Sequence, residues 1–178
     1  MSSLQSRFRG PSPLSLPRTP VGNLRAVVLV SSFVSFPGGP LGTYIAKLFP
    51  AALFRLPAPA WLLRWLLMDS AAASDAISDV QAAIARVRPE VLAGRLRDAL
   101  NADFSESLGD CAVRVVYLVA GSDRLLGTRG LRGVLAVKPN VETVKIAGPH
   151  LLLQCAPCDC LAALRKLGLF GSPLPRCQ

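Results

Sequence analysis

The sequence predicts an α/β fold, a partial parallel sheet with an inserted helical cap, and three observations carry that expectation. Apolar, strand-like runs alternate with helical patterns, which argues for parallel strands joined by right-handed crossovers. Two of the runs end in glycine-led turns bearing a polar residue. Val113 to Ala120 opens into Gly121-Ser122-Asp123, and Val141 to Ile146 opens into Gly148-Pro149-His150. Between the first and second strands lies a helical block too long for a simple crossover, so it reads as an insertion over the carboxyl edge of the sheet.

The elements follow in order. Leu24 to Phe36 reads as a buried strand on Arg25-Ala-Val-Val-Leu-Val, ending at Ser31-Ser32 and a Pro/Gly loop through Pro40. Leu41 to Met68 is hydrophobic and proline-punctuated, with Phe49, Phe54, Trp61 and Trp65. Ser74 is suited to cap a helix whose apolar face is Ile77, Val80, Ile84 and Val87, spaced three and four apart. Pro89 fits the first turn of a further helix carrying Leu92, Leu96 and Leu100. Then come the strand from Val113 to Val119, a helix around Leu131 to Val137 stopped near Pro139, and the strand from Val141 to Ile146. A last helix is expected from Pro157 to Leu167, ended by Gly168.

A chain of 178 residues with 51% apolar content suits one domain with a full core. Charged residues make up only 17%, and the mean hydropathy is +0.42. No apolar run reaches the roughly 18 residues of a membrane span, because Pro50, Arg55, Pro57, Pro59 and Arg64 break the greasiest stretch. A buried sheet accounts for the hydrophobicity.

The net charge of +9 is unevenly spread. No acid precedes Asp69 while seven basic residues do; from Asp69 onward the balance is thirteen bases to eleven acids. The Arg- and Ser-rich start suggests a transit peptide or a nucleic-acid arm. Pro11, Pro13, Pro17 and Pro20 exclude a stable targeting helix there. No RNA-binding motif occurs and no aromatics interleave the basic residues, so no nucleic-acid partner is expected.

Five cysteines stand at 111, 155, 158, 160 and 177. Cys155-x-x-Cys158-x-Cys160 has spacing at which thiolates can share zinc. Successive positions of one helix do not converge on an ion, however. The expectation is therefore reduced thiols in a cytoplasmic protein, with no metal and no cofactor.

Asp123 and His150, the only histidine, have the chain order of the acid and base of a serine hydrolase. With Leu24-Arg-Ala-Val-Val-Leu-Val-Ser-Ser-Phe, Gly121-Ser-Asp-Arg-Leu-Leu and Gly148-Pro-His-Leu-Leu-Leu-Gln, the chain resembles the α/β-hydrolase superfamily. The likeness is to small bacterial esterase-like members with a helical cap, over residues 22 to 170. It implies a hydrolase core at 22–40 and 108–170, a cap at 41–107 and a tail at 171–178. It further implies that Asp123 holds the tautomer of His150, that His150 deprotonates a serine and later protonates the leaving group, and that Ser31 and Ser32 line the pocket. As replacement nucleophiles those two serines lack the sharp strand-to-helix elbow. Taken singly, the same residues are also consistent with a turn aspartate capping a helix and a satisfied surface histidine.

Gly-x-Ser-x-Gly is absent from the sequence. Counting back from Leu24 brings the elbow serine to Arg7, in Gln5-Ser6-Arg7-Phe8-Arg9-Gly10-Pro11. Related enzymes commonly have Gly-Glu-Ser-Phe-Ser-Gly-Pro there. Phe8, Gly10 and Pro11 agree in place, and both serines are arginine. Glu-Ser-Phe-Ser-Gly-Pro can be written in the same bases one nucleotide out of phase. Residues 1 to about 21 are thus expected to be a disordered, frame-shifted remnant; a genuine N-terminal extension is the rival.

Two function classes follow. One is a carboxylic ester or thioester hydrolase, inactive as given for want of a nucleophile, whose substrate is a small acyl or aromatic ester. The other is a non-catalytic, hydrolase-like binding or vestigial domain. Phe49, Leu53, Phe54, Trp61 and Trp65 fit either an acyl-binding cap or simple packing of the cap on the core. The first strand, lacking a neighbour, is an aggregation hazard. A dimer or a complementary fragment at that edge is the expected partner.

Overall fold

The computed structural model describes residues 23–36, 54–68 and 74–170, without the side chains of Ser74 and Asp75. The expectations for residues 1 to 21, for the loop to Pro40, for Phe49 and Leu53, and for the tail at 171–178 lie outside these residues. In chain order the elements are β1 (Ala26–Val30), α1 (Ala60–Leu67), α2 (Ser74–Ala85), α3 (Pro89–Asn101), α4 (Ser105–Gly109) and β2 (Arg114–Ala120). They continue with α5 (Thr128–Val137), β3 (Glu142–Ile146), α6 (Leu152–Cys155) and α7 (Pro157–Lys166).

The strands form one parallel sheet in the order β1-β2-β3, with Leu29 beside Tyr117 and Leu118 beside Val144. The sequence of β2, Arg-Val-Val-Tyr-Leu-Val-Ala, is almost wholly β-branched, aromatic or aliphatic because both of its faces are covered. Alternation sends Val115 and Tyr117 into a cluster with Val34, Leu108, Cys111, Val134 and Val141. Val116, Leu118 and Ala120 go to the opposite face, with Ile146, Leu152 and Cys160. The helices α4 and α5 thereby close one face, and α6 and α7 the other. Full burial of Val116 and Leu118 contributes about 1.5–3 kcal/mol each.

Several elements differ from the sequence expectation. The first strand is shorter and only half-buried, and Val28 is 37% exposed. It stops at Val30 because Ser31 turns into left-handed backbone, φ +41°. Among the described residues β1 pairs with β2 alone, so its outer edge carries no strand partner there. The helix after Asp123 starts at Thr128, ahead of the expected Leu131. The last helix is preceded by a separate turn, α6, since Pro157 cannot continue a helix from Cys155 and instead opens α7. Val87 falls beyond the end of α2.

The amino edge of the sheet is held by Arg114, whose Nε and Nη2 donate to Glu142 at 2.6 and 2.7 Å. Its Nη1 also donates to the Leu167 carbonyl at 2.9 Å, tying β2, β3 and the end of α7 together. The ion pair lowers the Glu142 carboxyl and raises the Arg114 guanidinium, chiefly through their mutual hydrogen bonds. No helix among the described residues is long and apolar enough to cross a membrane.

Candidate acid–base site

Asp123 and His150 both lie beyond the carboxyl ends of neighbouring parallel strands, the edge where ligands of open α/β sheets bind. The two turns are locked to each other by backbone. Gly121 N–H donates to the Ile146 carbonyl at 2.8 Å, and Ser122 N–H donates to the Gly148 carbonyl at 2.9 Å. Gly148 sits at φ +154°, where a side chain is strained, and a Cβ there would fall 2.8 Å from Leu152 Cδ1.

The carboxylate of Asp123 divides its work between its two oxygens. Oδ1 accepts the backbone N–H of Leu125 and of Leu126, each at 2.9 Å, an Asx-type turn that fixes the side chain. Oδ2 stands 2.9 Å from His150 Nδ1. Since an ionised carboxylate only accepts, Nδ1 carries the proton and donates it. In the neutral ring Nε2 is then the acceptor. Asp123 is nearly shut from solvent, at 4% side-chain exposure, whereas the imidazole retains 18%. The aspartate is thus a turn residue and an imidazole partner at once.

The helix α1 is attached to both turns. Leu151 N–H donates to the Leu67 carbonyl at 3.0 Å, and Arg124 Nη1 donates to the Trp65 carbonyl at 3.3 Å. A cation on the last carbonyls of a helix is the favourable end for its dipole. Trp61 and Trp65 themselves are exposed, at 70% and 56%.

Ser31 and Ser32 occur at the same carboxyl edge, one strand away. Ser31 N–H donates to the Leu118 carbonyl at 3.1 Å, while its Oγ is buried without a hydrogen-bond partner. Ser32 Oγ donates to the carbonyl of Val30 at 2.9 Å. Two cavities lie elsewhere and include none of these four residues. One of about 550 Å³ runs between residues 54–58 and α2, and one of about 240 Å³ adjoins Arg114, Lys138 and Glu142. The cysteine run is split, with Cys155 and Cys158 exposed and Cys160 buried. Among the described residues no three metal-ligating side chains gather.

Sequence reasoning quoted Leu125 and Leu126 only within a motif, with no role assigned, and did not single out Tyr117. The first two were findable, because Asx turns take the amides two and three residues on. Tyr117 gave no signal, being one apolar-looking residue within a buried strand.

No protein-family model and no curated protein sequence matches the chain. Solved structures do. An esterase from Thermogutta terrifontis superposes with a TM-score of 0.66 at 18% identity, over 81% of this chain and 55% of that one. An enol-lactonase from Burkholderia xenovorans gives 0.53 at 16%, over 82% and 55%. An enzyme from a Medee basin deep-sea metagenome, described as an α/β-hydrolase, gives 0.51 at 12%, over 86% and 58%. The fold is that of the α/β-hydrolases. At these identities the likeness is one of fold, and the chain spans little more than half the length of each of these three solved chains.

Proposed function

We propose that this chain carries the acid and base of a serine hydrolase acting on carboxylic esters or thioesters. The hydrogen bond from His150 to a carboxylate already anchored by two amides is the observation that carries the proposal. Asp123 holds the imidazole in the Nδ1–H tautomer and stabilises the imidazolium as it forms. His150 Nε2 takes the proton of a serine hydroxyl during attack, then returns it to the leaving group. The nucleophile is not supplied as the chain is given, because Gly-x-Ser-x-Gly is absent. The segment with α1 serves as a cap beside the site, and its apolar surface suits small acyl or aromatic ester substrates.

The outer edge of β1, unpaired among the described residues, is where a second copy or a complementary fragment adds its strand. A frame shift over residues 1 to about 21, which replaced an elbow of the form Gly-Glu-Ser-Phe-Ser-Gly, accounts for the missing serine. The absent elbow also favours a second reading, a non-catalytic hydrolase-like domain. Hydrolysis of p-nitrophenyl esters and labelling by a fluorophosphonate probe separate the two. The chain as given is expected to show neither. Restoring the upstream frame is expected to bring back both, and a restored protein that ignores the probe favours the non-catalytic reading.

A further inference from the structure

The turn leaving β1 is held in a costly conformation. Ser31 is a non-glycine residue at φ +41°, it is 7% exposed, and its hydroxyl is buried without a hydrogen-bond partner. Left-handed backbone at such a residue and an orphaned hydroxyl both persist only where the surroundings over-determine them. The surroundings here are specific. Tyr117 Oη donates to the Ser32 carbonyl at 2.6 Å, from the middle of β2. On the far side lies Gly130 in α5. A Cβ at that position would fall 2.6 Å from Ser32 O, 3.1 Å from Tyr117 Oη and 3.5 Å from Leu126 Cδ1. Glycine is what lets the turn, the phenol and the acid loop close on one point. Leu126 in turn donates its N–H to Asp123 Oδ1, and its carbonyl accepts Arg129 N–H at 3.1 Å. A continuous packed path therefore runs from Tyr117 through Ser32 and Gly130 to Leu126 and the carboxylate.

We infer that Tyr117 is a positioning residue for the Asp123–His150 pair, acting through the Ser31–Ser32 turn and Gly130 on the loop that holds Asp123. The inference rests on the acid–base reading of that pair. The hydroxyl sets where Ser32 O lies, Ser32 O sets how closely α5 approaches, and α5 begins on the loop whose amides orient the carboxylate. The Asp123 charge also contributes, after burial, to raising the Tyr117 phenol, as expected of groups in one neighbourhood.

The test uses the full chain labelled with ¹⁵N-histidine. His150 is the only histidine, so its ring signals need no assignment. The wild-type protein is expected to show an Nδ1-bound proton moved downfield by the carboxylate and protected from exchange. Tyr117→Phe and Gly130→Ala are expected to lose that signal. Val113→Ala, which opens a cavity at the amino end of β2, is expected to lower the melting temperature and keep it. A Tyr117→Phe protein that retains the wild-type signal overturns the positioning role, and so does its loss in Val113→Ala. If Tyr117→Phe fails to fold, Gly130→Ala decides on the same criterion. A wild-type chain without the signal overturns both this role and the acid–base reading.

Discussion

His150 Nδ1 and Asp123 Oδ2 stand 2.9 Å apart although 27 residues separate them in the chain. The pairing is a property of adjacent parallel strands. Ala120 lies beside Ile146 in the register, so the turns leaving β2 and β3 emerge side by side. With Oδ1 occupied by two amides, Oδ2 has one direction left to face. A carboxylate so fixed loses little entropy when the imidazole orders against it.

That arrangement makes Asp123 structural as well as chemical. Asp123→Ala strands the amides of Leu125 and Leu126, the latter residue buried, and is expected to destabilise the fold by about 1–3 kcal/mol. Asp123→Asn keeps one acceptor for those amides and is expected to cost less. Denaturant unfolding of the two variants checks the order, and an alanine variant as stable as wild type contradicts it.

Tyr117 supplies a pH prediction. Its phenol is pushed up to about 12, chiefly by burial. The unfolded phenol ionises near 10. A folded value above the unfolded one means that the contribution to stability is complete below pH 10 and is lost as pH rises from there through 12. Absorbance titration is expected to show a phenolate step near 12 that Tyr117→Phe removes. If the step that Tyr117→Phe removes lies at the ordinary tyrosine value, the assignment is refuted; the second tyrosine of the sequence, Tyr44, is present in both proteins.

The core yields a plainer expectation. Leu118 is fully buried in the middle of β2, and Leu118→Ala is expected to cost about 2–5 kcal/mol through lost transfer energy and the cavity left behind. Val91 is 40% exposed on α3, and Val91→Ala is expected to change stability by no more than about 0.5 kcal/mol. Thermal melts that rank the two the other way would count against the packing described.

The edge strand is the liability of this sheet. With β1 unpaired on its outer side among the described residues and Val28 37% exposed, self-association is expected at micromolar concentration. Val28→Lys is expected to reduce it, as followed by light scattering. A monodisperse, cooperatively melting wild-type monomer contradicts the proposal for the edge.

The parts of this structure legible in the sequence are those governed by local chemistry. The continuous apolar run of β2 signals a strand covered on both faces, and Gly-led turns after it and after β3 locate Asp123 and His150. Pro89 and Pro157 mark helix starts because proline is tolerated there and nowhere further in. The remainder depends on proximity in space. Ser31 carries no mark of its positive φ, since serine is not the residue that such a conformation selects. Gly130 looks like a weak helix position until the Ser32 carbonyl is seen 2.6 Å from its missing Cβ. Tyr117 is indistinguishable from its strand neighbours without knowing what its hydroxyl meets. The short α4 and α6 escaped notice because single turns hold no hydrophobic period.

The most direct measurement is fluorophosphonate labelling of the protein given the proposed Gly-Glu-Ser-Phe-Ser-Gly elbow, compared with the same protein carrying His150→Ala. Labelling of the introduced serine that falls by a factor of about 10³ or more without the imidazole is the result expected of a working base. Labelling that never appears, or that survives the loss of His150 unchanged, would contradict the assignment of Asp123 and His150 as the acid and base of a hydrolase.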